Sequence, residues 1–299
     1  MKKMIQILPI LSGILWGATG TFVRFLEDLG LGSLTIVEAR LIPAVVIIGI
    51  GILIYNKKLF RIRLKDIWIF AGGGILGVVS LNYCYNASIS SMTLSMAAVL
   101  LCIAPVFVML FAALFFREKI TKKKIICMLV AFLGCVMVSG ILEEGVTGGW
   151  PVSAVIIGVL SAVCYGLNST FSKAGTQKGY HALTITIYCF TVAAVFLIPF
   201  TDWQVIGSVL TAAPAKMGGF FLLHALLTSV CPYVFFNISL KYVETGKAAI
   251  LASGEPAAAT VFGFFIFHEV PTILSICGIV VVLAALAVLS MPARDHYPG

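Results

Sequence analysis

The stretch Ala97–Thr121, AAVLLCIAPVFVMLFAALFFREKIT, decides the fold because the chain contains a second version of it. At a shift of 151 positions, residues 248–272 read AAILASGEPAAATVFGFFIFHEVPT. Both copies are apolar, carry a proline near the middle and end in Glu-x-x-Thr. A second match, at a shift of 149, places Trp16-Gly17 on Tyr165-Gly166. The chain is therefore internally duplicated.

The composition is typical of a protein embedded in a lipid bilayer. Of the 299 residues, 61% are hydrophobic and 11% are charged, and the mean hydropathy is +1.10. A soluble domain carries about 25% charged residues, so this chain could not cover a water-soluble surface. The net charge is +8, but the basic residues lie in short loops between apolar stretches. We therefore expect no binding to nucleic acid.

Ten membrane spans are predicted, at about 20 apolar residues per crossing. They lie at about 7–26, 34–55, 67–89, 93–115, 124–142, 152–173, 181–201, 217–239, 246–267 and 272–291. With the N-terminus in the cytoplasm, 17 of the 20 Lys and Arg residues fall on the cytoplasmic side. The positive-inside rule therefore predicts a multi-pass protein of the inner membrane with both termini cytoplasmic.

Combining the repeat with this topology predicts the fold class. Each half holds five spans, an odd number, so the second half enters the membrane from the opposite side. We predict an all-α integral membrane protein of ten transmembrane helices in two inverted five-helix repeats. The first repeat spans 1–142, a connecting loop 143–151, and the second repeat with a short cytoplasmic tail 152–299. This arrangement is typical of secondary transporters, whose sites lie at the repeat interface.

The residues resemble those of the EamA type of the drug/metabolite transporter superfamily over positions 8–290. The matching pieces are Trp16-Gly17, Ala39-Arg40, Pro105, Glu118-x-x-Thr121, Glu255-Pro256 and Glu269-x-x-Thr272. The resemblance implies a ten-helix carrier of small metabolites, often an exporter of amino acids or related compounds. It implies a cavity lined by the first four helices of each half, and peripheral fifth and tenth spans, which in some relatives contribute to a homodimer. Arg117 and His268 depart from the family, where Gly is frequent before each glutamate.

Two ionisable residues lie deep inside predicted spans, where each costs about 2.5–3.5 kcal/mol. Glu255 is roughly 13 Å into its span, near the centre of the bilayer. It either titrates a proton, contacts substrate, or anchors the helix break at Pro256. Arg40 is roughly 10 Å from the outer face. It either pairs across helices, with Glu255 or an outer carboxylate, or binds an anionic group of the substrate.

Polar and aromatic residues on the third and eighth spans extend this candidate site. Asn82 and Asn86 are four residues apart and share a helix face, bordered by Tyr83. At a shift of 151 their counterparts are Tyr233 and Asn237. Such stripes either line a wet cavity or hydrogen-bond helices to one another.

The remaining candidates are an aromatic pair, three small polar residues and a histidine. The first five, proposed to contact substrate, are Trp16, Tyr165, Thr19, Asn168 and Ser253. The sixth, His224, joins Glu255 as a candidate for proton coupling, and its alternative role is that of a hydrogen-bonded core residue. At the membrane exits, we expect Glu118 and Glu269 to fix the turn before the next helix, with Thr121 and Thr272 as N-caps.

Several chemistries are not indicated. The eight cysteines lie in apolar spans without a Cys-x-x-Cys pair, so we expect no metal site, disulfide framework or other cofactor. The intramembrane carboxylates are Glu38 and Glu255, on different helices, so no acid–base pair of an enzyme is predicted. We predict a secondary-active transporter that works by alternating access, with a small-molecule substrate and the lipid bilayer as its partners. The alternative is a passive facilitator or channel-like uniporter of the same fold.

Overall fold

Helices make up all the regular structure that is described. The computed structural model describes residues 5–89, 94–139, 141–144, 151–268 and 270–291. Within these ranges there is no β-strand. A chain in lipid must satisfy its backbone polar groups internally, and an α-helix does so within one segment.

The long helices follow the two halves of the chain. In the first half they are α1 (Ile7–Asp28), α2 (Ser33–Tyr55), α3 (Leu64–Ser88), α4 (Met96–Phe116) and α5 (Lys122–Val138). In the second half they are α6 (Val152–Gln177), α7 (Ala182–Phe200), α8 (Pro214–Ser239), α9 (Thr245–Phe267) and α10 (Ile273–Ser290). Short helical segments at Lys57–Phe60, Ile141–Glu144 and Trp203–Ala212 lie between them.

Nine of the long helices among the described residues are long and apolar enough to cross a membrane. The remaining one, α5, has 17 residues, at the lower end of what a crossing needs. It packs along the length of α10. The tenth crossing therefore stays a prediction, while the all-helical, multi-span character is confirmed.

Two pairs of equivalent helices are interrupted at matching places, whereas the interruption of α1 at Ala18 has no counterpart in α6. The first segment of α4 extends N-terminally beyond its apolar span, so the two segments are Leu94–Leu101 and Ala104–Phe116, and those of α9 are Thr245–Ala252 and Glu255–Phe267. Both breaks lie just before the repeated proline, which lacks an N–H and whose ring clashes with the preceding turn. The helices α3 and α8 each contain a π-helical segment, at Gly73–Val79 and Leu226–Val230. Local backbone irregularity is thus duplicated together with the sequence.

Packing between the halves is symmetric. The helix α1 packs against α8 and α9, and its counterpart α6 packs against α3 and α4. The helix α2 packs on α7, and α5 packs on α10. Each half therefore completes the core of the other, as two inverted repeats require.

One face of the bundle, called here the basic face, gathers the lysine- and arginine-rich loops. Lys178 lies 3.6 Å from Asp66, and Lys173 donates to the carbonyl of Leu240 at 2.7 Å. Lys123 donates to the carbonyl of Met291 at 2.6 Å. Ile5 packs against the group of buried hydrophobic residues that contains Leu240. Both ends of the described chain therefore lie on this face.

The two predicted N-caps are confirmed. Thr121 Oγ1 accepts from the amide of Lys124 at 3.3 Å, and Thr272 Oγ1 accepts from the amide of Ser275 at 3.1 Å. The role expected for Glu118 is wrong, because its carboxylate bonds to the start of α9 in the other half. Glu269 lies outside the described residues.

Candidate substrate-binding site

The break in α9 places Glu255 where the two halves meet. The first helical segment ends at Ala252, and Glu255 opens the next one. A carboxylate in the first turn of a helix is stabilised by the positive end of the helix dipole. The opposing helix α1 comes very close at Gly17, where an added Cβ would lie 2.7 Å from the carbonyl oxygen of Glu255. Glu255 therefore sits at a tight seam between α1 and α9.

Arg40 approaches the same seam from α2. Its Nη2 donates to Asn82 Oδ1 on α3 at 3.1 Å, and Asn82 Nδ2 donates in turn to the carbonyl of Val78 at 2.7 Å. The second bond fixes the amide so that its oxygen faces the guanidinium. Arg40 is buried, and its Nε has no hydrogen-bond partner among the described residues. A planar group with spare donors can hold a carboxylate.

Aromatic rings form one wall of this region. The Trp16 ring lies edge-on to Tyr233 at 5.3 Å and to Tyr165 at 6.1 Å between centroids, and tilted to Phe236 at 5.7 Å. The charge of Glu255 acts on Tyr165 and Tyr233, and that of Arg40 acts on Tyr233. These aromatic residues come from α1, α6 and α8, so both halves contribute.

Opposite charges share this aromatic-walled seam. Arg40 and Glu255 are electrostatic neighbours, yet they form no ion pair within 4.0 Å in the part of the chain that the structure describes. A buried cation and a half-buried carboxylate that do not pair with each other suit a ligand that carries both charges, because each group then gains a partner.

The comparison with known families decides the class. The EamA-like transporter family profile matches residues 3–140 and again residues 152–291. The chain belongs to the EamA-like transporter family. It is thus a multi-pass membrane protein of a family of transporters.

Relatives of this EamA-like transporter carry transporter or exporter names. An uncharacterized transporter of Archaeoglobus fulgidus is 26% identical over 97% of this chain and 99% of its own length. The pseudopaline exporter CntI of Pseudomonas aeruginosa is 28% identical, covering 73% of this chain and 72% of its own. A probable terminal-alkyne amino-acid exporter of Streptantibioticus cattleyicolor is 24% identical, covering 90% and 87%.

A solved crystal structure has the same fold. It superposes with a TM-score of 0.75 at 16% sequence identity, covering 95% of this chain and 96% of that chain.

Arg40, Glu255, Trp16, Tyr165 and Tyr233 are called here the cluster. His224 lies beside this cluster and near an apolar cavity. Its ring stacks on Phe22 at 4.8 Å and 8° between planes, and it feels the charge of Arg40. It is fully buried, and neither ring nitrogen has a hydrogen-bond partner in the described ranges. Phe22 also lines a cavity of about 360 Å³ between α1, α8 and α9, toward the face opposite the basic face.

Three other predicted residues have different surroundings. Asn237 is buried and donates to Thr186 Oγ1 at 2.9 Å, a bond between α8 and α7. Tyr83 is 59% exposed on the outside of α3. Asn168 packs over Gly77, because a Cβ added to Gly77 would lie 2.9 Å from the Cβ of Asn168.

The last three candidates lie next to a helix interruption or one turn from Asn82. The Ser253 hydroxyl donates to the carbonyl of Ile250 at the α9 break. Thr19 follows the interruption of α1 at Ala18. Asn86 lies one turn beyond Asn82 on α3, half-buried.

The sequence analysis did not propose one further neighbour of Glu255. Tyr85 on α3 is an electrostatic neighbour of Glu255. The signal was available, because Tyr85 lies three residues after Asn82 and so shares its helix face. No group of three or more His, Cys, Asp or Glu residues that could hold a metal ion occurs in the described ranges.

Proposed function

We propose that this EamA-like transporter is a secondary carrier that exports small zwitterionic metabolites, amino acids or close relatives, across the inner membrane by alternating access. The observation that carries the proposal is the pair of opposite charges formed by buried Arg40 and half-buried Glu255, in one aromatic-walled seam between inverted repeats. Two relatives named as exporters, one of them for an amino acid, support this substrate class.

Each end of a zwitterion has a complementary group in this site. Arg40, held by Asn82, binds the substrate carboxylate through its free donors. Glu255 binds the substrate ammonium group, or a proton when no substrate is present. Trp16, Tyr165 and Tyr233 cover the substrate side chain and favour a nearby cation through their ring faces. His224, beside Arg40, is the second candidate for the coupled proton.

Topology supports alternating access. The proposed repeats are 1–142 and 152–299, joined by 143–151, with the basic face in the cytoplasm according to the positive-inside rule. Two inverted halves can exchange conformations and so expose one central site to either face in turn. The sequence contains no Walker motif, so we propose that gradients or exchange supply the driving force.

Counterflow in proteoliposomes tests the mechanism. Vesicles loaded with an unlabelled amino acid should accelerate the uptake of the labelled one, because a carrier must return its site through the membrane. A panel of the amino acid, its methyl ester and its N-acetyl derivative tests the zwitterion requirement. Uptake that no internal amino acid stimulates would instead support a channel-like pore of the same fold.

Arg40 variants test the site itself. Arg40→Lys keeps the charge but loses the planar fork, so we expect apparent affinity to fall about tenfold. Arg40→Met should abolish the preference for the free acid over the methyl ester. Arg24→Lys is the matched control, since Arg24 lies in α1 and stacks on Phe267. If Arg40→Met still prefers the free acid, Arg40 does not bind the carboxylate.

Coupling to protons is tested separately. Glu255→Gln should abolish substrate-driven pH changes in the vesicle lumen, because glutamine cannot exchange a proton. His224→Phe, which preserves the stacked ring, reports on the second candidate. Substrate-driven pH changes that persist in Glu255→Gln would remove Glu255 as the coupling site.

A further inference from the structure

A carboxylate of the first repeat caps a helix of the second. Glu118 Oε1 accepts from the amide and the hydroxyl of Thr245, at 2.8 and 2.7 Å, and Glu118 Oε2 accepts from the amide of Gly246 at 3.3 Å. The first amides of a helix have no partner within it. The residue at the cap position of α9, Glu244, provides no side-chain cap. The start of α9 is therefore satisfied from the other half of the molecule.

Two lysines lie beside this connection. Lys173 Nζ on α6 lies 3.9 Å from Glu118 Oε1 and donates to the carbonyl that ends α8, that of Leu240, at 2.7 Å. Lys124 Nζ lies 2.5 Å from Glu244 and donates to the carbonyl of Lys119. The Glu118 and Lys173 side chains are only 11% and 15% exposed, whereas that of Glu244 is 53% exposed. The bonds of Glu118 are thus shielded from water, and the ion pair of Glu244 is not.

Below these bonds, two half-helices close over the basic side of the site. The second half of α4 packs on the first half of α9, and an added Cβ on Gly246 would lie 2.6 Å from Met109 Cγ. On the other side of the breaks, Leu94–Leu101 of α4 makes no packing of comparable extent with Glu255–Phe267 of α9, as far as the structure is described. The helices α4 and α9 are therefore packed together on the basic side of the seam, and less closely on its opposite side.

We propose that Glu118 is the latch of the gate on the basic face, and that its carboxylate must release Thr245 and Gly246 before the site opens to that face. The inference rests on the proposed alternating access. Hydrogen bonds to a charged acceptor favour the closed state over any state in which α4 and α9 separate. The latch therefore sets the ratio of closed to open molecules when no substrate is bound.

Pulsed electron–electron double resonance tests the latch without a substrate. Spin labels at Ile120 and Tyr242, both exposed on the two joined loops, report whether the loops separate. The background carries Cys277→Ser, because Cys277 is the exposed free cysteine of the eight. In the otherwise unmodified protein we expect one dominant short distance.

Removing the latch should populate a longer distance. Glu118→Ala should raise the open-to-closed ratio about tenfold, the size expected for hydrogen bonds to a charged group. Thr245→Val removes one of the three bonds and should raise it about threefold. Glu244→Gln is the matched control, because it removes the same charge from the neighbouring exposed ion pair, and should leave the distribution unchanged.

The outcomes separate the latch from transport. An unchanged distance distribution in both Glu118→Ala and Thr245→Val overturns the latch, even if counterflow confirms the carrier. Should Glu118→Ala fail to fold, Thr245→Val decides alone. If the distance distribution shifts to longer values in Glu118→Ala and Thr245→Val but not in Glu244→Gln, the latch is supported. This holds even if the panel of amino acids shows no counterflow.

Discussion

At the scale of single residues, backbone strain is repeated at equivalent positions. Arg117 has a φ of 54° and His268 a φ of 57°, and these are the non-glycine residues with positive φ in the described chain. Each follows the last residue of a broken helix, α4 or α9. A left-handed residue at this position ends a helix by bonding back to it, and glycine adopts it without the steric cost of a Cβ. A glycine at either position would end the helix without this cost.

Replacing either residue by glycine should stabilise the protein. We expect Arg117→Gly and His268→Gly each to raise the free energy of unfolding by up to about 1 kcal/mol, because strain relief exceeds the added unfolded-state entropy. Apparent melting temperature in detergent measures the effect.

The control for this prediction is Arg61→Gly, which removes the same charge at an exposed loop position of ordinary backbone, φ −81°. That variant should gain nothing. A lower melting temperature in Arg117→Gly than in Arg61→Gly would contradict the strain argument.

At the scale of helices, the contact between α5 and α10 depends on two glycines. An added Cβ on Gly134 would lie 2.9 Å from the carbonyl oxygen of Gly278, and one on Gly278 would lie 2.7 Å from that of Gly134. The two backbones thus approach closely without intervening side chains, which is how helices associate in lipid. This pair binds the end of one repeat to the end of the other.

Forcing these helices apart should destabilise the molecule. Gly134→Ala is expected to lower the free energy of unfolding by about 1–3 kcal/mol through overpacking. Gly51→Ala is the matched control, because Gly51 lies within α2 with no atom within 4 Å of an added Cβ.

Alanine is the better helix former, so this control should gain up to about 1 kcal/mol. Thermal unfolding of both variants in the same detergent compares them. Equal melting temperatures would show that the α5–α10 crossing tolerates a wider separation.

At the scale of the whole molecule, equivalent threonines tie the halves together on opposite faces. Thr184 donates to the carbonyl of Leu59 at 2.8 Å on the basic face. Thr35, its counterpart at a shift of 149, accepts from the amide of Asp202 at 3.1 Å on the other face. The pair α2 and α7 is thus joined at both ends, whereas α4 and α9 are joined by side-chain bonds at the basic face. We expect the first pair to stay together while the second separates.

Orientation in the membrane gives a further prediction. Single cysteines at Lys57 and Lys241, on a background with Cys277→Ser, should react with an impermeant maleimide only from the cytoplasmic side. A cysteine at Lys216 should react only from the other side. Labelling of intact cells and of inverted vesicles provides the comparison. Opposite accessibility of Lys57 and Lys241 would rule out two inverted halves.

Much of the candidate site could be proposed from the sequence, because depth within a span can be counted along the chain. Arg40, Glu255, Trp16 and Tyr165 stand out as polar or aromatic residues far from either end of an apolar stretch, and the structure brings them to one seam. Asn237 and Tyr83 were also predicted to contact substrate, but Asn237 bonds to Thr186 and Tyr83 is exposed. The sequence could not show this for Tyr83, because a step of one residue from Asn82 turns a side chain by about 100° around the helix.

The sequence by itself determined the membrane class, the duplication, the inverted order of the halves and the family, because apolar length, loop charge and internal repetition are properties of the chain read in order. Only the tertiary structure decided which side chains meet across helices. In the structure Asn237 bonds to Thr186, Tyr83 faces outward, and Glu118 bonds to the start of α9 and not to its own turn. The physical reason is that the rotation of each helix is set by the neighbours it packs against, and those neighbours come from the other half of the chain.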